Sequence, residues 1–447
     1  MQTSFTQAQL ARPEIAEAEG ILRTCVHYGF CTATCPTYVL FRDENDSPRG
    51  RIDLIRAMLE EGGVPDKKTV HHLDRCLSCL SCMTTCAVKV DYIHLIDIAR
   101  NYIERNFRRP FSERMLRTLL AKTLPYPRRF VAAMRLARLA RPLAGLMPKR
   151  LGNLVRLAER ETRPGIVTPQ TFPADGVRKM RVLLLAGCAQ QALDAEINAA
   201  TIRVLTRHGC EVVIAPGAGC CGALPLHMGR EEEGRALARK TASAWSNVPD
   251  VDAVVVNASG CGTTVKDYGH LLGGADGKRI GAMTRDISEM LDSLDLKVTN
   301  ETYYRVAYHD ACSLQHGQRV TAPPRSLLEK CGFEVMDLPE KHFCCGSAGT
   351  YNLLQPEIAQ TLGERKAAHA ESLDPDFIAA GNLGCMVQIG NYTQVPMLHT
   401  VSLIDWATGG PVPAALRGRV LRQPGQRPKA IEVSAGMATP SSESGFW

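Results

Sequence analysis

The residues best suited to chemistry in this 447-residue chain are its 17 cysteines, which fall into tight, patterned groups. In the run CLSCLSCMTTCA, four cysteines have the C-x2-C-x2-C-x3-C spacing of bacterial-type cubane clusters: Cys76, Cys79, Cys82 and Cys86. Three thiolates on one tight loop reach three corners of a cubane, whereas the fourth cysteine of such a run ligates the other cluster. A structural zinc site more often uses paired C-x2-C knuckles that lie farther apart. The run therefore predicts iron–sulfur ligation.

An earlier run, CVHYGFCTATCP, has the same spacing except that Tyr28 occupies the second cysteine position. With crossed ligation, one site is complete and comprises Cys35, Cys76, Cys79 and Cys82. The other site is one thiolate short and comprises Cys25, Cys31 and Cys86. A phenol with a pKa of about 10 is a poor substitute for a thiolate at neutral pH. Three outcomes stay open for this second site: a three-iron cluster, a four-iron cluster with a different ligand, or no cluster.

Eight further cysteines form an internal repeat with an offset of 124 residues. The first copy comprises Cys188, Cys220, Cys221 and Cys261, and the second comprises Cys312, Cys344, Cys345 and Cys385. The pairs lie in the related motifs GCCGA and FCCGS, so the repeat predicts two copies of one fold, here called the CCG domain after the letters that the two motifs share. These thiols are candidates for binding a metal or a cluster; the alternative is that they are buried thiols in glycine-tight loops. Cys210 and Cys331 lie outside the pattern and are expected to be packing cysteines.

Short apolar runs rich in β-branched residues lead into these cysteines, as in RVLLLAGC, CEVVIAPGAGCC and DAVVVNASGC. Helical stretches such as DAEINAATIRVLTRHG lie between them, and this alternation predicts parallel α/β sheets. Each cysteine then follows the carboxyl end of a strand, which is where such sheets gather ligands. Cysteines far apart in the chain are therefore expected to converge.

The region before residue 106 has helix signals instead, with Ser47 as N-cap, Pro48 at the first helical position and Gly62 as the stop. The predicted fold is α+β and multidomain, with a helical ferredoxin-type N-terminal domain followed by a duplicated α/β domain with parallel sheets. The expected divisions are a helical iron–sulfur domain at 1–105, a basic helical linker at 106–178, CCG domains at 179–295 and 303–405, and a poorly ordered tail at 408–447.

Composition excludes several other classes of protein. With 45% apolar and 22% charged residues, the chain is not expected to be disordered or fibrous. No stretch approaches the roughly 18–20 apolar residues that span a bilayer, and the N-terminus lacks a signal-peptide pattern. A cytoplasmic location, where thiols stay reduced and serve as ligands instead of forming disulfides, is the expectation.

Charge is concentrated in residues 100–150, which carry 14 Lys and Arg against two Glu. Two interpretations apply to this segment: peripheral docking to an anionic membrane surface or an acidic partner, or a solvated helix face. Nucleic acid is not expected, because neither aromatic interleaving nor a binding motif accompanies the charge. Neither a G-x-G-x-x-G unit nor a P-loop is present, so the sequence does not support a flavin, nicotinamide or nucleotide site.

The chain resembles the iron–sulfur subunit of bacterial glycolate oxidase through eight segments, up to about residue 406. In order these are ILRTCVHYGFCTATCPTY, SPRGRIDLI, HLDRCLSCLSCMTTC, LLAGCAQ, AGCCGA, ASGCGTTVKDYG, SLQH and CCGSAGTYNLL. Related proteins with two ferredoxin-type motifs and two CCG domains include subunits of lactate, glycerol-3-phosphate and heterodisulfide enzymes.

The resemblance implies a membrane-associated complex in which flavin-binding subunits oxidise glycolate to glyoxylate. This chain would relay the electrons towards a quinone or another acceptor, and it would carry no catalytic residue for the organic substrate. The family's [4Fe–4S] ligands carry over to Cys25, Cys31, Cys35, Cys76, Cys79, Cys82 and Cys86, but not to Tyr28. Heterodisulfide relatives have a C-x2-C pair at the end of each CCG motif; Thr264 and Gln388 replace the partner cysteines here. The resemblance therefore does not extend to a five-thiolate cluster.

Two other functions remain open. One is a disulfide or quinone reductase whose own CCG thiols perform the chemistry. The other is a non-enzymatic scaffold with a degraded relay, an interpretation that the substitution at Tyr28 keeps open.

Overall fold

The computed structural model describes residues 1–146, 162–300 and 302–418. Residues 147–150 of the basic segment and the expected tail beyond residue 418 lie outside the described residues.

Residues 1–106, here called the ferredoxin-type region, consist of helices joined by cysteine-bearing loops. The helices are α1 (Gln7–Leu10), α2 (Pro13–Thr24), α3 (Phe30–Ala33), α4 (Pro36–Phe41), α5 (Pro48–Glu61), α6 (Lys67–Asp74), α7 (Ser81–Thr85) and α8 (Tyr92–Asn106), with a 3-10 turn at Glu44–Asp46. Helix α5 begins and ends where the sequence signals predict. The Ser47 hydroxyl accepts a hydrogen bond from the Gly50 amide at 2.9 Å, and the helix stops before Gly62. Its apolar face packs against α2 and α8 in a small core of their own.

Two basic helices follow, α9 (Phe111–Thr123) and α10 (Pro127–Ala140), with a 3-10 turn at Arg141–Leu146. Helix α10 lies within the segment expected to be a basic helical linker, and it ends two residues before Pro142 because proline cannot continue the hydrogen-bond ladder. Across the described ranges, none of the helices has both the length and the hydropathy needed to cross a membrane.

The first CCG half, residues 170–292, is built on a five-stranded sheet of order β1-β3-β2-β4-β5. Its strands are β1 (Gln170–Phe172), β2 (Met180–Leu185), β3 (Cys210–Ile214), β4 (Ala253–Val256) and β5 (Thr284–Asp286). Only β1 pairs antiparallel, and it falls within the segment expected to be a linker. The helices are Ala189–Leu193, Glu196–Arg207, Ala223–His227, Glu231–Ser246, Ser259–Lys266, Tyr268–Leu272, Gly274–Met283 and Ile287–Asp292.

The second CCG half, residues 305–407, repeats this topology in a parallel sheet of order β7-β6-β8-β9. Its strands are β6 (Arg305–His309), β7 (Glu334–Asp337), β8 (Phe377–Ala380) and β9 (Met397–His399). Its helices are Ala322–Lys330, Tyr351–Leu354, Pro356–Glu371, Leu383–Gly390 and Thr400–Ala407, with a π-helical turn at Ser313–Gln318 and a 3-10 turn at Ala414–Leu416. The helical N-terminal region and the duplicated parallel sheets confirm the predicted α+β fold class.

The two CCG halves share one hydrophobic core. Val182 and Val255 of the first sheet belong to the same buried cluster as Val306, Phe377 and Leu403 of the second half, and each is at most 1% exposed. Burial of such apolar area is the dominant favourable term in folding. This common core fixes how the cysteine-bearing edges of the two sheets lie relative to each other.

Candidate functional site

Four thiols predicted to form the complete site line one small cavity in the ferredoxin-type region, here called the four-thiol site: Cys35, Cys76, Cys79 and Cys82. Cys35 lies at the N-terminal cap of α4, Cys76 and Cys79 lie on the turn between α6 and α7, and Cys82 lies in the first turn of α7. Ser78 and Leu80 have φ angles of 48° and 63°, so the backbone of that turn curls tightly. Four convergent thiols on a tight loop and a distant residue form the donor set that a [4Fe–4S] cluster requires.

Several donors are directed at these sulfur atoms. The Ser78 amide lies 3.4 Å and the Tyr92 hydroxyl 3.7 Å from the Sγ atom of Cys76. The Arg51 guanidinium lies 3.8 Å from the Sγ atom of Cys35. Hydrogen bonds to cluster sulfurs and nearby charge are the means by which a protein sets a cluster's reduction potential.

Arg51 is the central cation of the four-thiol site. It is 1% exposed, pairs with Asp46 at 3.2 Å and donates to the backbone carbonyl of His72 at 2.8 Å. Burial alone would raise the pKa of the Cys76 thiol, but the charges of Arg51 and Arg100 outweigh burial and lower that pKa. A buried cation favours the thiolate form of a neighbouring cysteine, and the thiolate is the form that binds iron.

The three remaining ferredoxin-type cysteines, here called the three-thiol site, also lie near one another: Cys25, Cys31 and Cys86. Burial, together with the neighbouring Cys25 and Cys86 thiols, raises the pKa of Cys31 to about 11. The Tyr28 side chain is 66% exposed, and its ring lies 6.1 Å from the ring of Phe30. The Tyr28 side chain is therefore largely open to solvent.

The four-thiol site adjoins both the three-thiol site and the second CCG half. On the ferredoxin side, the Cys82 thiol interacts electrostatically with Cys31. On the other side, the Cys79 thiol interacts with Cys312 and Cys344. Leu77 and Tyr351 pack in the same buried cluster. Redox groups held at these positions would lie in one contiguous series.

The eight repeated cysteines follow the carboxyl ends of strands, as the sequence predicts, and they meet at one cavity of about 690 Å³. The thiols lining it are Cys188, Cys220, Cys221 and Cys261, called the first quartet, and Cys312, Cys344, Cys345 and Cys385, called the second quartet. Helices α9 and α10 supply much of the apolar wall, including Leu120 and Met134. Cys76, Leu77 and Ser78 of the four-thiol loop also line the cavity, which therefore reaches the edge of the four-thiol site.

A glycine after each CC pair lets a helix backbone approach the thiols closely. Gly222 has a φ of 92°, and a Cβ atom there would lie 2.4 Å from the carbonyl oxygen of Gly234. Gly346 has a φ of 88°, and its Cβ would lie 2.7 Å from the carbonyl oxygen of Ala359. Any side chain would clash and would strain a left-handed backbone. The shared GCCG-like motif thus has a steric cause.

Within each quartet the thiols form a connected series. The Sγ atoms of Cys312 and Cys344 lie 3.8 Å apart. In the first quartet, the contact with Cys220 and burial raise the pKa of Cys188 well above its usual value. Thiols this close and this buried either stay protonated or share a bound cation, because unshared thiolates would repel one another. Cys210 and Cys331 lie elsewhere, each 0% exposed in the core.

Sequence reasoning missed three charged or ligating residues near these thiols. Arg51 lies in the segment SPRGRIDLI, which contributed a helix signal and a segment of the family resemblance but no candidate site residue. His309 and Lys366 are buried beside the second quartet, 1% and 3% exposed. A comparison of the two repeat copies would have found His309, because Leu185 occupies the equivalent position in the first copy.

Two families with described domains match parts of this chain. Residues 24–90 match a family described as a 4Fe-4S dicluster domain. Residues 182–266 and 306–390 each match a family described as a cysteine-rich domain, the two copies that the repeat predicts. The chain is thus an iron–sulfur protein.

Two related proteins are similar to this chain over almost its whole length. The glycolate oxidase iron-sulfur subunit of Escherichia coli K12 is 39% identical over 416 residues, which cover 91% of this chain and 99% of the relative. The probable glycolate oxidase iron-sulfur subunit of Bacillus subtilis 168 is 32% identical, covering 88% and 95%. Lactate utilization protein A of Geobacillus kaustophilus is 29% identical, but covers only 47% of this chain and 90% of that protein. Because identity of this extent spans both the ferredoxin-type region and the two CCG halves, the chain belongs to the family of glycolate oxidase iron–sulfur subunits.

Proposed function

We propose that this chain is the electron-transfer subunit of a flavin-dependent glycolate oxidase complex. Oxidation of glycolate to glyoxylate releases two electrons and two protons, and the flavin of a partner subunit would take both electrons. A [4Fe–4S] cluster supplies one-electron storage. Cys35, Cys76, Cys79 and Cys82 would hold that cluster, and two successive one-electron passes would deliver the pair to the acceptor. Chemistry on glycolate itself would take place on the flavin-binding subunit.

One observation carries this proposal: the four-thiol site lies directly against the large cavity. Cys79 interacts with Cys312 across the boundary, and Cys76 lies on the cavity wall. An electron leaving the four-thiol site thus has a short path to a molecule bound in the cavity. The second quartet lies along that path.

A quinone is the acceptor that fits the cavity best. The volume of about 690 Å³ is in the range of small-molecule sites, and the lining is mainly apolar, with a few polar groups such as Asn352 and His227. An apolar wall suits a quinone ring and tail, polar groups would hydrogen-bond the quinone oxygens, and the two protons that convert a quinone to a quinol would be taken up from solvent. The two electrons from glycolate balance that reduction.

Helices α9 and α10 also favour a peripheral membrane contact. Leu136 and Leu139 of α10 are 67% and 79% exposed, and Leu143 of the following 3-10 turn is 54% exposed. Arg128 and Arg135 are exposed on α10. A basic helix with exposed leucines matches an anionic lipid surface. Because Leu136 also lines the cavity, this surface would place the opening for a lipid-soluble acceptor at the membrane.

The test is Cys79→Ser, with Cys331→Ser as the matched control, in the assembled complex. With Cys79→Ser, we expect glycolate to reduce the flavin at the normal rate while quinone reduction falls to background. Cys331 is a core cysteine, so its variant should retain both reactions. Unchanged quinone reduction with Cys79→Ser would contradict the relay and would favour the scaffold interpretation. Loss of flavin reduction in the same variant would instead indicate failed assembly.

A second candidate function is reduction of a disulfide substrate at the quartets. The close pair Cys312 and Cys344, 3.8 Å apart at the edge of the cavity, favours it. Supplying the same complex with a quinone and with a soluble disulfide as alternative acceptors separates the two functions. We expect turnover with the quinone alone.

A further inference from the structure

The two CCG halves differ at the last residue of their equivalent strands. Strand β6 ends at His309, three residues before Cys312, whereas β2 ends at Leu185, three residues before Cys188. An imidazole thus takes the place of an isobutyl group at the equivalent position of the repeat. The second half gains a nitrogen ligand that the first half does not have at that position.

His309 lies within reach of two thiols of the second quartet. A ring nitrogen of His309 and the Sγ atoms of Cys345 and Cys385 all lie within 4.8 Å of one another. These residues are 1%, 1% and 2% exposed. One nitrogen and two sulfur donors at such separations form the ligand set of a tetrahedral borderline metal such as zinc.

The imidazole has no other partner within the described part of the chain. Both of its ring nitrogens are fully buried, and neither makes a hydrogen bond to a described residue. An unpaired polar group in a protein interior is destabilising, so such groups are rare and call for a ligand or an ion. A metal bound to one ring nitrogen would give one of these two unpaired atoms a partner.

Charge also distinguishes the two halves. Lys366 is 3% exposed, donates to the carbonyl oxygen of Glu340 at 2.6 Å and interacts electrostatically with the thiols of Cys344 and Cys345. In the corresponding helix of the first half, the position equivalent to Lys366 is Ala242, and its neighbour is Thr241; both are uncharged. A divalent ion neutralises two thiolates, and Lys366 would balance a third.

We infer that the second CCG half holds a single divalent metal ion of zinc-like chemistry, bound by His309, Cys345 and Cys385, and that the first half does not. The remaining coordination position faces the large cavity, because Cys345 and Cys385 both line it. This inference deepens the proposed function, since it assigns different roles to the two quartets. It does not require the electron relay to be correct.

The test is zinc binding by the full-length chain, purified anaerobically. We expect one tightly bound zinc ion per chain and at least about a tenfold loss of affinity in His309→Leu. That variant copies Leu185, which the equivalent strand already accommodates. The matched control replaces the first-half counterparts, Cys221→Ser with Cys261→Ser, and should keep the zinc. Unchanged zinc affinity in His309→Leu, or an equal loss in the control, would overturn the inference.

Cobalt substitution gives a readout that does not depend on activity. We expect Co²⁺ to give thiolate charge-transfer absorption that His309→Leu weakens and that His309→Cys restores with an altered spectrum. Restoration by His309→Cys also shows that the domain still folds without the imidazole. If His309→Leu loses acid-labile sulfide together with metal, the site holds a cluster and the single-ion assignment is wrong. Cys79→Ser should keep the zinc, which separates failure of this inference from failure of the relay.

Discussion

At the scale of single residues, Arg51 determines the character of the four-thiol site. Its side chain is almost fully enclosed, and it contacts Cys35, Thr37 and Asp46 together. Removing one partner of a buried ion pair costs about 3–5 kcal/mol, so Arg51 contributes to folding as well as to the charge near the thiols. A positive charge held here favours the reduced, more negative state of a bound cluster.

Tyr28 occupies the position at which the three-thiol site would need its fourth ligand. Because its phenol faces solvent, we expect the natural protein to hold one four-iron cluster, in the four-thiol site. Tyr28→Cys should gain a second, since it completes the C-x2-C-x2-C-x3-C spacing. Anaerobic iron and sulfide analysis with EPR measures this gain. We expect the iron and sulfide content per chain to rise by the amounts contained in one [4Fe–4S] cluster.

The control for that experiment is Phe30→Cys. Phe30 is 61% exposed close to Tyr28, so this variant adds an exposed thiol outside the ligand spacing. It should gain no cluster. Two four-iron clusters in the natural protein would mean that another group completes the three-thiol site, and the prediction for Tyr28 would be wrong.

At the scale of elements, α10 lets the membrane proposal be tested separately. Leu136→Asp combined with Leu139→Asp places two charges on its exposed face. Burying each leucine in an interface is worth about 1.5–3 kcal/mol, so binding to anionic vesicles should fall at least about tenfold. Co-sedimentation with phosphatidylglycerol vesicles measures the change. The control is Val177→Asp, which places a charge at an exposed valine outside α10 and should bind like the natural chain. Equal binding by the natural chain, the double leucine variant and this control would contradict a membrane contact at α10.

The same scale shows what the sequence could predict. Strands β2, β3 and β4 have four to six residues in apolar runs, and the repeat then indicated their counterparts in the second half. Strands β1, β5 and β9 have three residues each, too few for a pattern to stand out. Cysteine spacing gave the candidate thiols of the ferredoxin-type region because those ligands are local. His309 and Lys366 meet the second quartet only through the sheet and a distant helix, so spacing could not indicate them.

At the scale of the whole molecule, an imidazole cluster joins the ferredoxin-type region to the first CCG half. His94 pairs with Asp91 at 2.7 Å and with Asp267 at 3.0 Å, and its ring stacks on His270 at 3.7 Å. Burial disfavours the charged ring, but hydrogen bonds and charge from Asp267 and Asp91 outweigh burial and raise the pKa of His94 to about 10. The interface is therefore charged at neutral pH.

A pH dependence of stability follows from that shift. The folded pKa lies above the unfolded value of about 6.5, so protonated His94 stabilises the protein fully below that pH. This contribution declines as pH rises and is gone above about 10. We expect His94→Gln to cost about 1–3 kcal/mol near pH 6.5 and almost nothing near pH 10. Thermal unfolding of the anaerobic protein across this range measures the difference.

The control for the pH experiment is His71→Gln, since His71 is exposed and takes no part in this interface. Its effect on unfolding should be small at every pH. A destabilisation by His94→Gln that stays constant from pH 6.5 to pH 10 would show that the ring acts through packing alone.

The contact between Cys79 and the second CCG half also constrains how the protein matures. Cys79 is 9% exposed, and Leu77 beside it is packed against Tyr351 and Ile358. A carrier that delivers iron and sulfide must reach all four thiols, and the docked second half covers one of them. Cofactor insertion should therefore precede closure of the chain's C-terminal half over the N-terminal half. A nascent chain offers this order naturally, because its N-terminal ligands leave the ribosome first.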